Sequence, residues 1–401
     1  MVEVTLAQII NGVFMNKIYI DNASTSFPKP KCVSDAVYTY MTEVGSNINR
    51  GCYSDAYSVE EMVFETRELL ANMFGASDCK NVVFTKNVTE SLNVIMNGYL
   101  MPGDHVLVSS MEHNAVMRPL VKLSQSGVSF TRIPCNEFGE LCIDSLESLI
   151  QQNTKAVIMT HASNVCGTVM PLKEVGAFCK EHSIKFIVDA AQTAGILQIN
   201  MQDMNISALA FTGHKGLLGP QGIGGFILSE DMVNEVDSFI VGGTGSISHT
   251  EETPEFMPDK FEAGTLNIPG IMGLHSSLSW INEKTSDALL KHELSLTELF
   301  LNGLKPLEDA GYIKIIGKRD LKDRTGIVSI MTITNDSSEV AYILDTKYGI
   351  MTRVGLHCAP NAHKTLGTYP EGTIRFSFGY SNTESDVIAS INALKEIFNG
   401  I

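Results

Sequence analysis

Lys215 follows a short apolar run, Ala208-Leu-Ala-Phe211, and closes the tetrad Thr212-Gly-His214-Lys215 ahead of a glycine-rich stretch. A lysine just past a strand end, among small residues, is open to a carbonyl compound. Partial desolvation moves its amine towards a reactive range. The Thr212 hydroxyl and the His214 imidazole offer two ligands for a phosphate. Together they point to an aldehyde with a phosphate tail, pyridoxal 5'-phosphate. A surface lysine in a glycine-rich turn is the other reading of these residues alone.

A second reactive centre lies far along the chain. In Arg353-Val-Gly-Leu-His357-Cys358-Ala359, with His363 beyond, a cysteine is flanked by groups that are cationic or can become so. Such neighbours raise the thiolate fraction, and Gly355 and Ala359 leave the sulfur reachable. Cys358 therefore reads as a nucleophile and the other seven cysteines as structural, with Cys166 the nearest competitor because it follows Asn164. Arg375, within Thr373-Ile-Arg-Phe-Ser-Phe378, could hold an α-carboxylate in a bidentate pair or serve a surface salt bridge.

Other polar groups stand directly after apolar runs. Asp189 follows Ile187-Val188, where a carboxylate is costly unless paired; a protonated pyridine nitrogen or a helix start would each pair it. His113 comes soon after His105–Ser109 and could lie flat on a ring or pack in the core. Thr89 is placed to cap a helix beginning near Glu90, making an anion site. The Asn164 amide could reach a ring hydroxyl or a substrate carboxylate.

These groups need a frame. Short apolar runs at 81–85, 105–109, 128–133, 156–160, 186–188 and 208–211 alternate with helical spacing, as at 59–73 and 172–181. That alternation predicts an α/β fold with a mainly parallel sheet, whose functional residues gather at the strands' carboxyl ends. After 230 the texture changes to a long glycine- and serine-rich loop, then to helices and strands of a smaller lobe. The expected division is a large domain at 18–262 and a small α+β domain at 263–401, with residues 1–17 packing on the latter.

Composition sets limits. The 401 residues, 44% hydrophobic, suit a large core with a second lobe, and 29 basic against 45 acidic residues leave a net charge of −16. No basic field exists to hold nucleic acid or an anionic membrane. The absence of Cys-x-x-Cys pairs argues against a zinc knuckle, and scattered cysteines suit a reducing, cytoplasmic setting. No run of eighteen apolar residues suggests a membrane span, and residues 1–16 make a poor signal peptide.

Val188-Asp-Ala-Ala-Gln192, Phe211-Thr-Gly-His-Lys215, Phe261-Glu-Ala-Gly-Thr265 and Arg353-Val-Gly-Leu-His-Cys-Ala359, in this order, resemble the class V aminotransferase family. Within it the sequence is most similar to cysteine desulfurases and selenocysteine lyases with a compact cysteine loop. The resemblance implies a fold type I pyridoxal-phosphate enzyme and a homodimer with shared active sites. It implies that Lys215 binds the cofactor aldehyde and Asp189 pairs with the ring nitrogen. Gln192 would meet the ring hydroxyl and His113 would stack on the ring. Thr89, Thr212 and His214 would hold the phosphate, and Thr265 would reach the neighbouring subunit's phosphate. Arg375, Asn164 and Arg353 would hold the substrate, L-cysteine or L-selenocysteine. Cys358 would take its sulfur for an acceptor protein, releasing alanine. The alternatives are a selenocysteine lyase or another class V lyase or aminotransferase. Leu356, Val354, Tyr53 and Val88 depart from the family pattern and bear on substrate preference and acceptor, leaving the cofactor chemistry intact.

Overall fold

The structure, a computed structural model, describes residues 17–48, 53–247 and 249–398. The N-terminal fourteen residues and the Arg50-Gly-Cys52 stretch lie outside them. The first strand of the described residues is β1 (Ile18–Tyr19), and a seven-stranded sheet follows. Its strands are β2 (Val82–Thr85), β3 (His105–Ser109), β4 (Ser129–Ile133), β5 (Thr154–Thr160), β6 (Lys185–Asp189), β7 (Ala208–Thr212) and β8 (Gly224–Leu228), in the order β2-β8-β7-β6-β5-β3-β4. β3 to β7 run parallel, and β8 is antiparallel to both neighbours.

The central runs are apolar throughout because both faces are covered. Side chains alternate across a strand. Leu107, Val157, Val188 and Leu209 enter the core on one face, and Val106, Ile158, Ile187 and Ala210 enter the core on the other. β8 escaped the sequence reading, since Gly224-Gly225 looks like a turn. A Cβ on Gly225 would meet the Val83 carbonyl at 2.4 Å, so the glycines permit the close approach of β2 and β7.

The smaller lobe is built on a four-stranded antiparallel sheet. β9 (Ile313–Ile316), β10 (Ile327–Thr332), β12 (Arg353–Gly355) and β13 (Thr373–Ser377) take the order β12-β13-β10-β9, while β11 (Ile350–Met351) pairs with β1. Helices 286–309 and 384–398 share its core, in which the Phe300 and Phe376 rings lie 4.8 Å apart. The helix at 384–398 was not anticipated.

Ile268, Ile271 and Leu278 of the Ile268–Lys284 helix, beyond the expected boundary at 263, pack in the large core, and the helix ends at Thr285, where φ is +67°. Conversely, Ile20 sits in the small-lobe core although 18–22 was expected in the large domain. The loop anticipated from Ile240 to about Pro258 extends over 234–267, where the described residues form no helix or strand. It is anchored by a buried Arg67–Glu262 pair at 2.7 Å, with Glu262 also accepting from Phe84 N at 2.7 Å. Among the described residues no helix is long and apolar enough to cross a membrane.

Candidate active site

Every strand end singled out in the sequence converges on one edge of the large sheet. β7 ends at Thr212, and Lys215 follows in a turn crossed by the segment 21–30: Lys29 Nζ and Thr25 Oγ1 both donate to the His214 carbonyl, at 2.8 and 3.1 Å. Burial depresses the Lys215 amine to about 8. Asp189 and Asp21 oppose the shift, and Arg375 and Arg353 add to it. An amine in this range is about one-tenth neutral, hence nucleophilic, at pH 7, far more than an ordinary lysine.

Asp189 ends β6 and is 2% exposed. Its carboxylate accepts from Ala191 N at 2.9 Å, and no helix follows it, so the helix-cap reading fails. Burial holds its pKa above the usual range. Gln192 Nε2 donates to the Ala23 carbonyl at 3.1 Å. Two polar atoms beside Lys215, Thr212 Oγ1 and His214 Nδ1, are buried without any hydrogen-bond partner. Each such atom costs about 1–3 kcal/mol unless a ligand satisfies it.

His113 caps the helix Asn114–Ser124: its Nδ1 accepts from Ala115 N at 3.0 Å, which leaves the proton on Nε2. Burial, then the neighbouring cations, lower it to about 4, so the ring is neutral. Thr89 does not cap its helix. Asn87 does, accepting from Glu90 N at 3.0 Å while Glu90 accepts from Lys86 N at 2.6 Å, a reciprocal cap that shifts the helix start to Val88. Thr89 is exposed on the first turn, and lines the same hollow as His113 and Cys358.

Cys358 is exposed in the turn between β12 and the helix Pro360–Thr365. His357 and Cys358 both hold left-handed conformations, φ +47° and +59°, that non-glycine residues adopt at a cost. Asn114 N donates to the Cys358 carbonyl at 2.8 Å, and Asn164 Nδ2 donates to that of His357 at 2.7 Å. The thiol-bearing turn is thereby tied to the ends of β3 and β5. Two supposed cationic neighbours are not cationic. His357 and His363 are buried, bonded to Thr373 and Thr368, and burial drives them down to about 2 and about 4. Cys166 is buried, its thiol in contact with the Thr168 hydroxyl.

Arg375, 1% exposed, bonds Asp21 and Ser24 at 2.8 Å and the Asn164 carbonyl at 3.0 Å, leaving its buried Nε unpartnered. Arg353 shares Ser24 Oγ at 2.8 Å. Asp21 and Ser24 were missed in the sequence, although the polar turn holding them was visible. Glu112 was missed too: buried, it accepts from Thr160 N at 3.0 Å and from Ser109 Oγ, joining the ends of β3 and β5. Thr265 stands apart. It is exposed on the 243–266 loop, in a hollow with Gly243, Asp259 and Arg67.

His161, 4% exposed beside Thr193, is driven by burial from the ordinary 6.5 to about 3. Between those values the unfolded chain takes a proton that the native chain refuses, so stability is lost as pH falls below 6.5. At pH 5 this one ring costs about 2 kcal/mol. The urea midpoint should fall between pH 7 and pH 5, and fall less in His161→Gln; equal falls in both proteins would refute the assignment.

The lobes, sheet order and lysine past β7 define the fold type I class of pyridoxal-phosphate enzymes. Residues 18–389 match the sequence profile of the aminotransferase class-V family, and the chain belongs to that family. A probable cysteine desulfurase of Methanothermobacter thermautotrophicus is 34% identical over 95% of this chain and 94% of its own. One of Pyrococcus abyssi is 31% identical over 96% and 95%. Among solved structures, the apo cysteine desulfurase of Thermococcus onnurineus NA1 superposes with a TM-score of 0.90 at 32% identity, covering 96% of this chain and 95% of that one. The Escherichia coli cysteine desulfurase CsdA, in an S-sulfonic acid form, gives 0.85 at 28%, with the same coverage.

Proposed function

We propose that this chain is a pyridoxal-phosphate-dependent cysteine desulfurase that converts L-cysteine to L-alanine and retains the sulfur as a persulfide on Cys358. One observation carries the reading: the turn bearing an exposed thiol is tied through its backbone carbonyls, at 2.7 and 2.8 Å, to the same strand ends that surround a buried lysine whose amine burial depresses to about 8.

The residues fit the cofactor. The unpartnered Thr212 Oγ1 and His214 Nδ1 suit phosphate oxygens, the buried Asp189 carboxylate suits a protonated ring nitrogen, and neutral His113 suits a ring face. Gln192 and Thr89 complete the proposed set. When bound, pyridoxal phosphate supplies an electron sink for charge developing at the substrate's Cα and Cβ.

The chain's own groups do the rest. Arg375, with Nε still unpartnered, and Arg353 receive the substrate carboxylate, with Asn164 alongside. The Lys215 amine takes the Cα proton and returns it. The Cys358 thiolate attacks the substrate sulfur: the Cβ–S bond breaks, an S–S bond forms, and Cβ gains a proton to become the alanine methyl. Carbon is reduced as sulfur is oxidised, and no outside redox agent is required. Thr265, exposed and distant from Lys215, is assigned to the partner subunit's phosphate in a homodimer.

Incubation with cysteine should yield alanine and a mass gain of one sulfur on the peptide containing Cys358; alanine without that gain would defeat the proposal. Arg375→Lys keeps a cation for Asp21 but loses the fork. It should raise KM for cysteine roughly tenfold to a hundredfold with a smaller change in kcat. An unaltered KM would remove Arg375 from the substrate site.

A further inference from the structure

The hollow in front of Cys358 measures about 340 Å3, and its lining includes Thr89, His113, Arg118 and Lys122. Arg118 and Lys122 are exposed, and among the described residues neither makes an ion pair or a side-chain hydrogen bond. In a chain of net charge −16, two free cations beside the reactive sulfur stand against the prevailing field. Their placement is regular. Asn114, whose N–H holds the Cys358 carbonyl at 2.8 Å, Arg118 and Lys122 follow at intervals of four along the helix Asn114–Ser124, and so share one face. The stripe leads away from the thiol for about 12 Å at about 1.5 Å per residue. An extended polypeptide covers that length in about four residues.

Resting on the cysteine desulfurase reading, we propose that this stripe docks the sulfur acceptor, a protein segment whose cysteine has acidic residues within about four positions. The acceptor thiolate attacks the outer sulfur of the Cys358 persulfide. A new S–S bond forms on the acceptor, the bond to Cys358 Sγ breaks, and Cys358 leaves as a thiolate. The sulfur oxidation states exchange between partners, and the acceptor's proton passes to solvent. Arg118 and Lys122 take no part in bond making; they set which thiol arrives and how fast. The length of the stripe favours a chain over a small thiol, which would span only its first turn.

Two fluorescent decapeptides test this, alike except for glutamates or lysines two and four positions from a central residue. With serine at that centre, anisotropy titration of the full-length enzyme reports binding without turnover. The acidic peptide should bind roughly tenfold tighter than the basic one at low salt, with the advantage shrinking as salt rises. Arg118→Ala with Lys122→Ala should abolish the preference, and Arg118→Glu with Lys122→Glu should invert it. Alanine production with dithiothreitol as acceptor should stay within about twofold in both variants, since the chemistry lies elsewhere. With cysteine at the centre, transfer from sulfur-loaded enzyme should follow the same order. Equal binding of both peptides by the wild type would overturn the proposal, as would an acidic preference surviving charge reversal. A small dicarboxylic thiol that displaced the peptide at equal concentration would overturn the choice of a protein segment. Failure of Cys358 to load sulfur would count against the desulfurase reading alone, because the binding titration still decides the docking.

Discussion

Cys358→Ala is expected to lower alanine release from cysteine by a hundredfold or more, an order-of-magnitude expectation for loss of a nucleophile. The near-visible absorbance of bound cofactor should remain. Cys166 and Cys179 are buried, and burial raises Cys135 to about 11, so these three thiols are not disposed to substitute. The fold should tolerate the change, because the side chain is exposed and its turn is held by backbone groups, the Cys358 and His357 carbonyls. Selenocysteine turnover should fall less, since selenium leaves more readily than sulfur. Unchanged sulfide production from cysteine in the variant would sink the assignment.

Lys215→Ala is expected to be more damaging still, on the order of a thousandfold or more, because the proposed mechanism has one residue both bind the aldehyde and move the Cα proton. The absorbance should vanish with it. The apoprotein gives a second readout. Burial depresses the amine from 10.5 to about 8, so the native chain bears a penalty for its protonated form. That penalty is complete below pH 8 and disappears as pH rises towards 10.5, where the unfolded chain also loses its proton. The variant apoprotein should therefore be no less stable than the wild type at neutral pH, and its cofactor capture should no longer accelerate as pH rises through 8. A variant that kept both absorbance and turnover would remove Lys215 from the centre of the site.

Asp189, Thr212 with His214-Lys215, and His113 were legible because each follows an apolar run, and a parallel sheet delivers such positions to one edge wherever its strands lie in order. Cys358 and Arg375 were legible as residue types, from the company they keep in the chain. The electrostatics were not. His357 and His363 look like cations beside a thiol, yet they are buried against Thr373 and Thr368 and stay neutral. Asp21, Ser24 and Glu112 carried no local signal, since their partners Arg375, Arg353 and Thr160 lie from 48 to 354 positions away. Gly224-Gly225 read as a turn because close approach to Val83 appears only when β2 and β8 pair.

The sequence by itself determined which chemistry the chain carries. A strand-end lysine, its hydroxyl and imidazole neighbours and a reachable thiol follow from residue type and spacing, which act locally. Only the tertiary structure decided how that chemistry is armed: which histidines lose their protons, which arginine keeps a free donor, and which backbone groups hold the cysteine turn over the strand ends. Burial and hydrogen bonding between distant segments set those properties, and neither exists until the two lobes have closed on one another.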